Sequence, residues 1–92
     1  MYHTIKNAIY KEKYNIELFF SNGNSGIVDF EEYIKIGGIF EKFKNIDYFK
    51  KFHVDSETIC WGENEIDISP ETLYEKATGE KMKLFEKHSS II

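Results

Sequence analysis

Residues 14–20 read Tyr14-Asn15-Ile16-Glu17-Leu18-Phe19-Phe20. Apolar side chains occupy every second position of this stretch, which is the period of a β-strand that buries one face. A short polar connection, Lys11-Glu12-Lys13, joins it to a preceding strand at residues 4–10. The two stretches therefore predict an antiparallel hairpin.

A third strand follows the hairpin. Residues 21–26 read Ser21-Asn22-Gly23-Asn24-Ser25-Gly26 and predict a turn, because Asn and Gly tolerate positive φ. The next strand runs through Ile27, Val28 and Phe30. Together the three strands form a meander.

The middle of the chain changes period. Residues 31–35 predict a short helical turn that ends at Gly37-Gly38. Ile39, Phe40 and Phe43 predict a second turn that packs on the sheet, and Asn45 is placed to cap a third, Ile46-Asp47-Tyr48-Phe49. A second hairpin then pairs a strand through Phe52, His53 and Val54 with residues 58–61 across Asp55-Ser56-Glu57.

The clearest local pattern is a helix start. Ser69 is a suitable N-cap, Pro70 fits the first helical position and Glu71 complements the helix dipole. Gly79 is placed to end this helix. Asp67 precedes the start and is predicted to accept backbone N–H bonds there.

These elements predict an α+β fold: a small antiparallel sheet made of a three-stranded meander and a second two-stranded hairpin, with short helices and a C-terminal helix. Ninety-two residues fit a single domain, which we place at residues 1–79. Residues 80–92 are a tail that either extends the helix or frays. Because 41% of the residues are hydrophobic and 16% aromatic, we expect a folded chain.

The composition favours a reducing cytoplasm. Cys60 is the single cysteine, so no intrachain disulfide can form. The first residues show no signal-peptide pattern, and no stretch has the roughly 20 apolar residues that span a bilayer. We therefore expect no membrane partner.

The segment from Leu18 to Ala77 resembles the bacterial domain of unknown function 2442 family. The resemblance rests on Phe20 to Gly23, Val28-Asp29, Gly38 to Phe43 and Phe49 to Asp55, and most strongly on residues 61–74. That last stretch reads Trp61-Gly62-Glu63-Asn64-Glu65-Ile66-Asp67-Ile68-Ser69-Pro70-Glu71-Thr72-Leu73-Tyr74. The chain departs from the family pattern in two places, with Phe43 where Leu is usual and Gly62 where Pro is usual.

The resemblance implies a small α+β domain and no particular activity. Such domains occur alone, fused to helix-turn-helix domains, or encoded beside another small protein in toxin–antitoxin-like pairs. No helix-turn-helix pattern is visible in this chain. The resemblance therefore suggests a neighbouring gene product as the partner.

Charge disfavours direct nucleic-acid binding as the main role. The formal net charge is −4, and all twelve basic residues are Lys. Arg supplies the planar fork for bidentate base contacts, which Lys lacks. An AT-rich genome would produce the same bias.

An acidic block runs through the last third of the chain. Seven carboxylates occur from residue 55 to residue 75 without an intervening Lys: Asp55, Glu57, Glu63, Glu65, Asp67, Glu71 and Glu75. They form either a solvated edge or an electrostatic face for a basic protein. Within this region Glu57, Trp61, Glu63, Glu65 and Asp67 are the candidate partner-binding residues. Trp61 is either a core residue or a partly exposed interface residue.

A basic patch, in contrast, favours nucleic-acid binding. Lys42, Lys44, Lys50 and Lys51 interleave with aromatic residues, a mixture that single-strand binders use for backbone contact and base stacking. Phe43 and Phe49 sit at apolar positions of the family pattern and are therefore expected in the core.

No catalytic, metal or cofactor site is predicted. His3, His53 and His88 are far apart and lack neighbours at metal-ligand spacing. Cys60 lies between Ile59 and Trp61 and is expected to behave as a small hydrophobic residue.

The leading hypothesis is a non-catalytic regulatory module that binds another protein, as the antitoxin-like partner of a small toxin or of another neighbouring protein. One alternative is an inhibitor of a nuclease or host-defence enzyme through an acidic face. A second is a nucleic-acid-associated regulator. A homo-oligomer stays open, because the first strand is an edge that is able to pair.

Overall fold

The computed structural model describes residues 4–79. The strands are β1 (Ile5–Glu12), β2 (Asn15–Phe20), β3 (Ser25–Asp29), β4 (His53–Asp55), β5 (Thr58–Trp61) and β6 (Ile66–Asp67). The helices are α1 (Glu31–Ile36), α2 (Ile46–Phe49) and α3 (Pro70–Thr78), with a 3-10 helix at Gly38–Lys44 between α1 and α2. The predicted α+β fold is confirmed. The predicted tail, residues 80–92, lies outside the described residues.

The first sheet has the strand order β1-β2-β3, and both pairs are antiparallel. The alternation in β2 separates its two faces as predicted. Ile16, Leu18 and Phe20 are at most 3% exposed, whereas Glu17 and Phe19 lie on the other face and are partly exposed. This inner face supplies one side of the core.

Strand β1 is an edge strand with two irregularities. Its pairing with β2 shifts register between Ile5 and Asn7 and again between Tyr10 and Glu12. The extra residues at these shifts are Lys6 and Lys11. Bulges and lysines on an edge discourage pairing with a further strand.

The second sheet has the strand order β4-β5-β6. The predicted hairpin corresponds to β4 and β5, and the two-residue strand β6 adds a third member that the sequence pattern did not predict. All four residues of β5 are buried. The backbone N–H of Ile5 donates to the Glu57 carbonyl at 3.0 Å and links β1 to this sheet.

Local residues account for the short helices. Gly37 ends α1 with φ 86, a conformation that glycine adopts without steric strain. Asn45 caps α2 as predicted, because its side chain accepts from the N–H groups of Asp47 and Tyr48.

Aromatic rings fill the space between the sheets and the short helices. Phe30, Phe43, Phe49 and Trp61 are fully buried and contact one another, with centroid separations from 4.6 to 5.8 Å. Large apolar side chains therefore pack into a single hydrophobic core.

Helix α3 closes the inner face of the first sheet. Its start is as predicted, with the Ser69 side chain accepting from the Glu71 N–H, and Gly79 ends it in the left-handed conformation. The helix approaches β3 so closely that a Cβ on Gly26 would lie 2.1 Å from the Ala77 carbonyl oxygen. Farther along, Asn22 and Asn24 donate to the Tyr74 hydroxyl at 3.1 and 2.8 Å.

Candidate partner-binding surface

The second sheet presents a polar outer face. The register places His53 opposite Cys60 and Cys60 opposite Asp67. Asp55 lies two residues from His53 and shares its face, because strand side chains alternate. This face therefore collects two carboxylates and a histidine from β4 and β6.

An amide bridge ties this face to the β5–β6 connection. Asn64 Oδ1 accepts a hydrogen bond from His53 Nε2 at 2.9 Å, and Asn64 Nδ2 donates to Asp55 Oδ2 at 2.8 Å. With the Asn64 amide oxygen as an acceptor, the His53 Nε2 carries the proton. The hydrogen bond from Asn64, assisted by the Ser56 N–H, lowers the pKa of Asp55.

The connections add further carboxylates. Ser56 and Glu57 join β4 to β5 with φ of 51 and 72, the positive values that a tight hairpin turn requires. Glu63 lies in the connection from β5 to β6. Asp55, Glu57, Glu63 and Asp67 are all exposed, and we call these four residues the acidic edge.

Within residues 4–79, no lysine lies within ion-pair distance of the acidic edge. The lysine ion pairs among residues 4–79 lie elsewhere and join Lys11 to Glu17, Lys42 to Glu65 and Lys76 to Glu32. Among the described residues, the charge of the acidic edge is therefore not balanced by an ion pair with lysine.

Glu65 differs from the other candidate carboxylates. Lys42 Nζ donates to both of its oxygens, at 3.0 and 2.9 Å, and the Tyr48 hydroxyl donates to Oε2 at 2.9 Å. These hydrogen bonds, that from Lys42 first, lower the pKa of Glu65. Burial and then the bond to Glu65 raise the pKa of Tyr48 to about 12. The negative charge of Glu65 is thus balanced by Lys42 of the same chain.

The turn after Trp61 makes room for this cluster. Gly62 has φ 66, and a Cβ there would lie 2.7 Å from Glu65 Oε2. Proline, which is usual at this position in the family pattern, is held near φ −65° and cannot adopt this turn. Gly62 therefore permits a turn that proline at this position would not.

The basic patch is partly engaged as well. Lys42 belongs to the Glu65 cluster, and Lys50 lies over the Tyr10 ring, 5.0 Å from its centroid. Lys44 and Lys51 are exposed. Phe43 and Phe49 are fully buried, as predicted, so neither ring is available to stack on a base.

Trp61 is in the core, which corrects its choice as a partner-binding residue. Its exposed fraction is 0%, and its indole N–H donates to the Phe49 carbonyl at 2.8 Å. A side chain enclosed in this way cannot touch a partner while the domain keeps its fold. The alternative prediction, a core role, is the one that the structure supports.

Asp67 does not cap α3, contrary to the sequence prediction. The Ser69 hydroxyl takes that role, accepting from the Glu71 N–H at 3.2 Å and donating to the Glu71 carboxylate at 2.6 Å. Asp67 is paired with Cys60 in β6 instead, and its side chain has no hydrogen bond with any residue from 4 to 79. It remains exposed and available.

Cys60 of β5 lies directly opposite His53 of β4, but Cys60 is only 1% exposed. Burial, followed by the charges of Asp67 and Asp55, raises the pKa of the Cys60 thiol. A nucleophilic cysteine needs the opposite shift. Within the described range, no group of three or more His, Cys, Asp or Glu side chains is arranged to hold a metal ion. His3 and His88 lie outside the described residues.

Sequence reasoning missed one surface, the outer face of the first sheet. Ile9 and Ile27 are 45% and 53% exposed, and Phe19 lies on the same face. The signal was present in the sequence, because an apolar residue occupies an outward position in each of the three strands.

The fold and this surface define a small α+β domain whose described residues offer exposed charge and apolar area. The chain belongs to the family described as Protein of unknown function (DUF2442). The model of that family matches residues 5–79 of the chain. Comparison with curated proteins and with solved structures gives no match. No helix among residues 4–79 has the length and apolar character needed to cross a bilayer.

Proposed function

We propose that this protein is a non-catalytic regulatory module of the cytoplasm that binds a basic protein through its acidic edge. The observation that carries the proposal is the exposure of Asp55, Glu57, Glu63 and Asp67 without an ion-pairing lysine in residues 4–79. The partner is the product of an adjacent gene, in an antitoxin-like arrangement that the family resemblance suggests.

Two features support a binding role for this edge. Ser56 and Glu57 hold positive φ, and such a conformation is unfavourable for residues other than glycine. The turn carries an exposed carboxylate at that position nonetheless. The amide bridge of Asn64 also fixes Asp55 in place, so that less conformational freedom is lost when a partner binds.

The test is co-expression with the adjacent gene product, followed by measurement of the association rate at several salt concentrations. Charge complementarity raises association rates, and salt screens this effect. We expect the double variant Glu57→Lys with Glu63→Lys to slow association by about tenfold or more at low salt.

The matched control is Glu31→Lys with Glu41→Lys. These two glutamates are also exposed but lie on α1 and the 3-10 helix and are not part of the acidic edge, and the net charge changes by the same amount. Equal slowing in both double variants would show that only the net charge matters, and it would refute the acidic edge as a binding surface.

An inhibitor of a nuclease or host-defence enzyme is a second candidate, favoured by the same unpaired carboxylates. It differs in the readout, because the edge would then occupy a site that normally holds phosphates. Inhibition that survives Glu57→Lys with Glu63→Lys would reject it.

A further inference from the structure

The turn between β2 and β3 carries an Asn-Gly pair that the proposed function does not use. Asn22 and Gly23 are both exposed, and Gly23 has φ +93. A Cβ built on Gly23 would meet no atom within 4 Å beyond its two chain neighbours, so the space beside it is open. The backbone nitrogen that follows an asparagine can attack the side-chain amide, and glycine hinders this approach least. The pair is therefore chemically reactive.

The reaction takes place within the chain and needs only water. Gly23 N gives its proton to solvent and forms a bond to Asn22 Cγ. The bond from Cγ to Nδ2 breaks, and that nitrogen leaves as ammonia with a proton from solvent. Water then opens the resulting cyclic imide at either carbonyl and yields aspartate or isoaspartate. Both products add a negative charge, and isoaspartate also brings the side-chain methylene into the main chain.

Hydrogen bonds hold both reacting groups in the folded chain. The N–H of Gly23, which is the nucleophile, donates to the Phe20 carbonyl at 3.0 Å. Asn22 Nδ2, which is the leaving group, donates to the Tyr74 hydroxyl at 3.1 Å. Asn22 Oδ1 accepts from the Asn24 N–H at 3.0 Å. Because cyclisation requires these bonds to break, the closed turn reacts slowly.

Tyr74 makes this protection depend on helix α3. Its hydroxyl accepts from Asn24 as well, at 2.8 Å, and its ring packs edge-on against Phe20 with centroids 5.0 Å apart. The side chain is only 3% exposed, so packing fixes its position. When α3 moves away from the sheet, Asn22 loses the acceptor for its amide.

We propose that Asn22 is a site of spontaneous conversion to aspartate and isoaspartate, and that docking of α3 through Tyr74 sets the rate. Each local opening of α3 exposes the pair to reaction. The conversion then weakens the junction, because isoaspartate lengthens a turn closed by two backbone bonds. These bonds run from the Gly23 N–H to the Phe20 carbonyl and from the Phe20 N–H to the Asn24 carbonyl.

Peptide mapping by mass spectrometry, after incubation at mildly alkaline pH, tests the proposal on wild type and Tyr74→Phe. This substitution keeps the ring and removes the hydroxyl that accepts from Asn22. We expect Asn22 to convert about fivefold faster or more in the variant, since the loss of an ordinary hydrogen bond shifts the opening equilibrium by about that factor. The chain unfolded in guanidinium should convert fastest.

Two controls separate this effect from a general loss of stability. Ile59→Val weakens the core in the second sheet without touching the turn, so conversion of Asn22 should stay near the wild-type rate. Gly23→Ala should slow conversion, although it strains the turn, because its methyl group hinders the attacking nitrogen.

Three results overturn the proposal. Equal conversion in wild type and Tyr74→Phe would remove α3 from the account. Equal acceleration in Ile59→Val and Tyr74→Phe would mean that global unfolding sets the rate. An Asn22 that stays intact in both wild type and Tyr74→Phe, after the unfolded chain has converted fully, would exclude it as a modification site of the folded protein.

Discussion

The two sheets have the same inner role and different outer faces. Each buries one face in the common aromatic core, as Leu18 does for the first sheet and Ile59 for the second. Outside, the first sheet presents isoleucines beside the Lys11–Glu17 ion pair, and the second presents Asp55 and Asp67, which form no ion pair with a lysine of residues 4–79. The period-two alternation that builds both sheets thus leaves exposed apolar area on one outer face and exposed carboxylates on the other.

The difference has a physical consequence for salt. Apolar area is removed from water with a free energy that moderate salt changes little, whereas charge attraction between exposed groups is screened within about 8 Å at physiological ionic strength. A contact made through the exposed isoleucines of the first sheet should therefore tolerate salt better than partner association through the acidic edge.

The largest effect is expected from a substitution in the shared core, which leaves both outer faces unchanged. Trp61→Ala should lower the free energy of unfolding by about 3–5 kcal/mol, because it empties a site enclosed by three aromatic rings. Urea unfolding measures this loss. Val54→Ala, at a side chain 37% exposed in the same sheet, is the control and should cost less than about 1 kcal/mol. Similar stability of both variants would contradict the core position of Trp61.

A smaller loss is expected where the first sheet meets α3. Gly26→Ala places a Cβ 2.1 Å from the Ala77 carbonyl oxygen, and a backbone atom cannot rotate away. We expect about 2–4 kcal/mol of destabilisation in thermal unfolding. Gly23→Ala is the control, since no atom lies within 4 Å of a Cβ there and only the strain of φ +93 remains. Gly26→Ala should be the less stable of the two.

The next largest effect is expected at Gly62, in the turn beside the Lys42–Glu65 ion pair. Gly62→Ala should cost about 1–2 kcal/mol, because φ is positive and the new Cβ meets the Glu65 side chain. Displacement of Glu65 should also bring the pKa of Tyr48 down from about 12. Ultraviolet titration of tyrosinate measures that shift. An unchanged Tyr48 titration would mean that Glu65 keeps its place without the glycine.

The smallest effect is the acid dependence of stability. Asp55 and Glu65 have pKa values lowered from their ordinary 3.8 and 4.5, so the unfolded chain takes up these protons first. Their contribution to stability is present above the ordinary pKa values and is lost as pH falls through the lower, folded ones.

We therefore expect the free energy of unfolding to fall below about pH 5. The fall should be shallower in Lys42→Met and in Asn64→Gly, each of which removes a donor to one of the carboxylates. Lys44→Met, which removes an exposed lysine that has no ion pair in the described range, should keep the wild-type slope.

Local signals in the sequence were sufficient for much of the fold. The alternation in β2, the Asn45 cap and the Ser69 helix start each depend on residues a few positions apart, and all three were predicted. Strand β6 was missed, because two residues carry no recognisable period and pair only once β5 is in place.

The candidate site was predicted in part. The acidic block was visible as a run of carboxylates, but the removal of Glu65 from it was not, since Lys42 is 23 residues away in sequence. The position of Trp61 was left open for the same reason: a single β-strand residue can face the core or the solvent, and only the packing of Phe30 and Phe49 against it decides.

The most direct test of the acidic edge is stopped-flow association of the adjacent gene product with wild type, with Glu57→Lys plus Glu63→Lys, and with Ile27→Lys. We predict that the wild-type rate falls steeply with salt, that the charge-reversed variant associates slowly at every salt concentration, and that Ile27→Lys behaves as wild type. Equal rates in wild type and the charge-reversed variant, without salt dependence in either, would contradict a partner-binding role for the acidic edge.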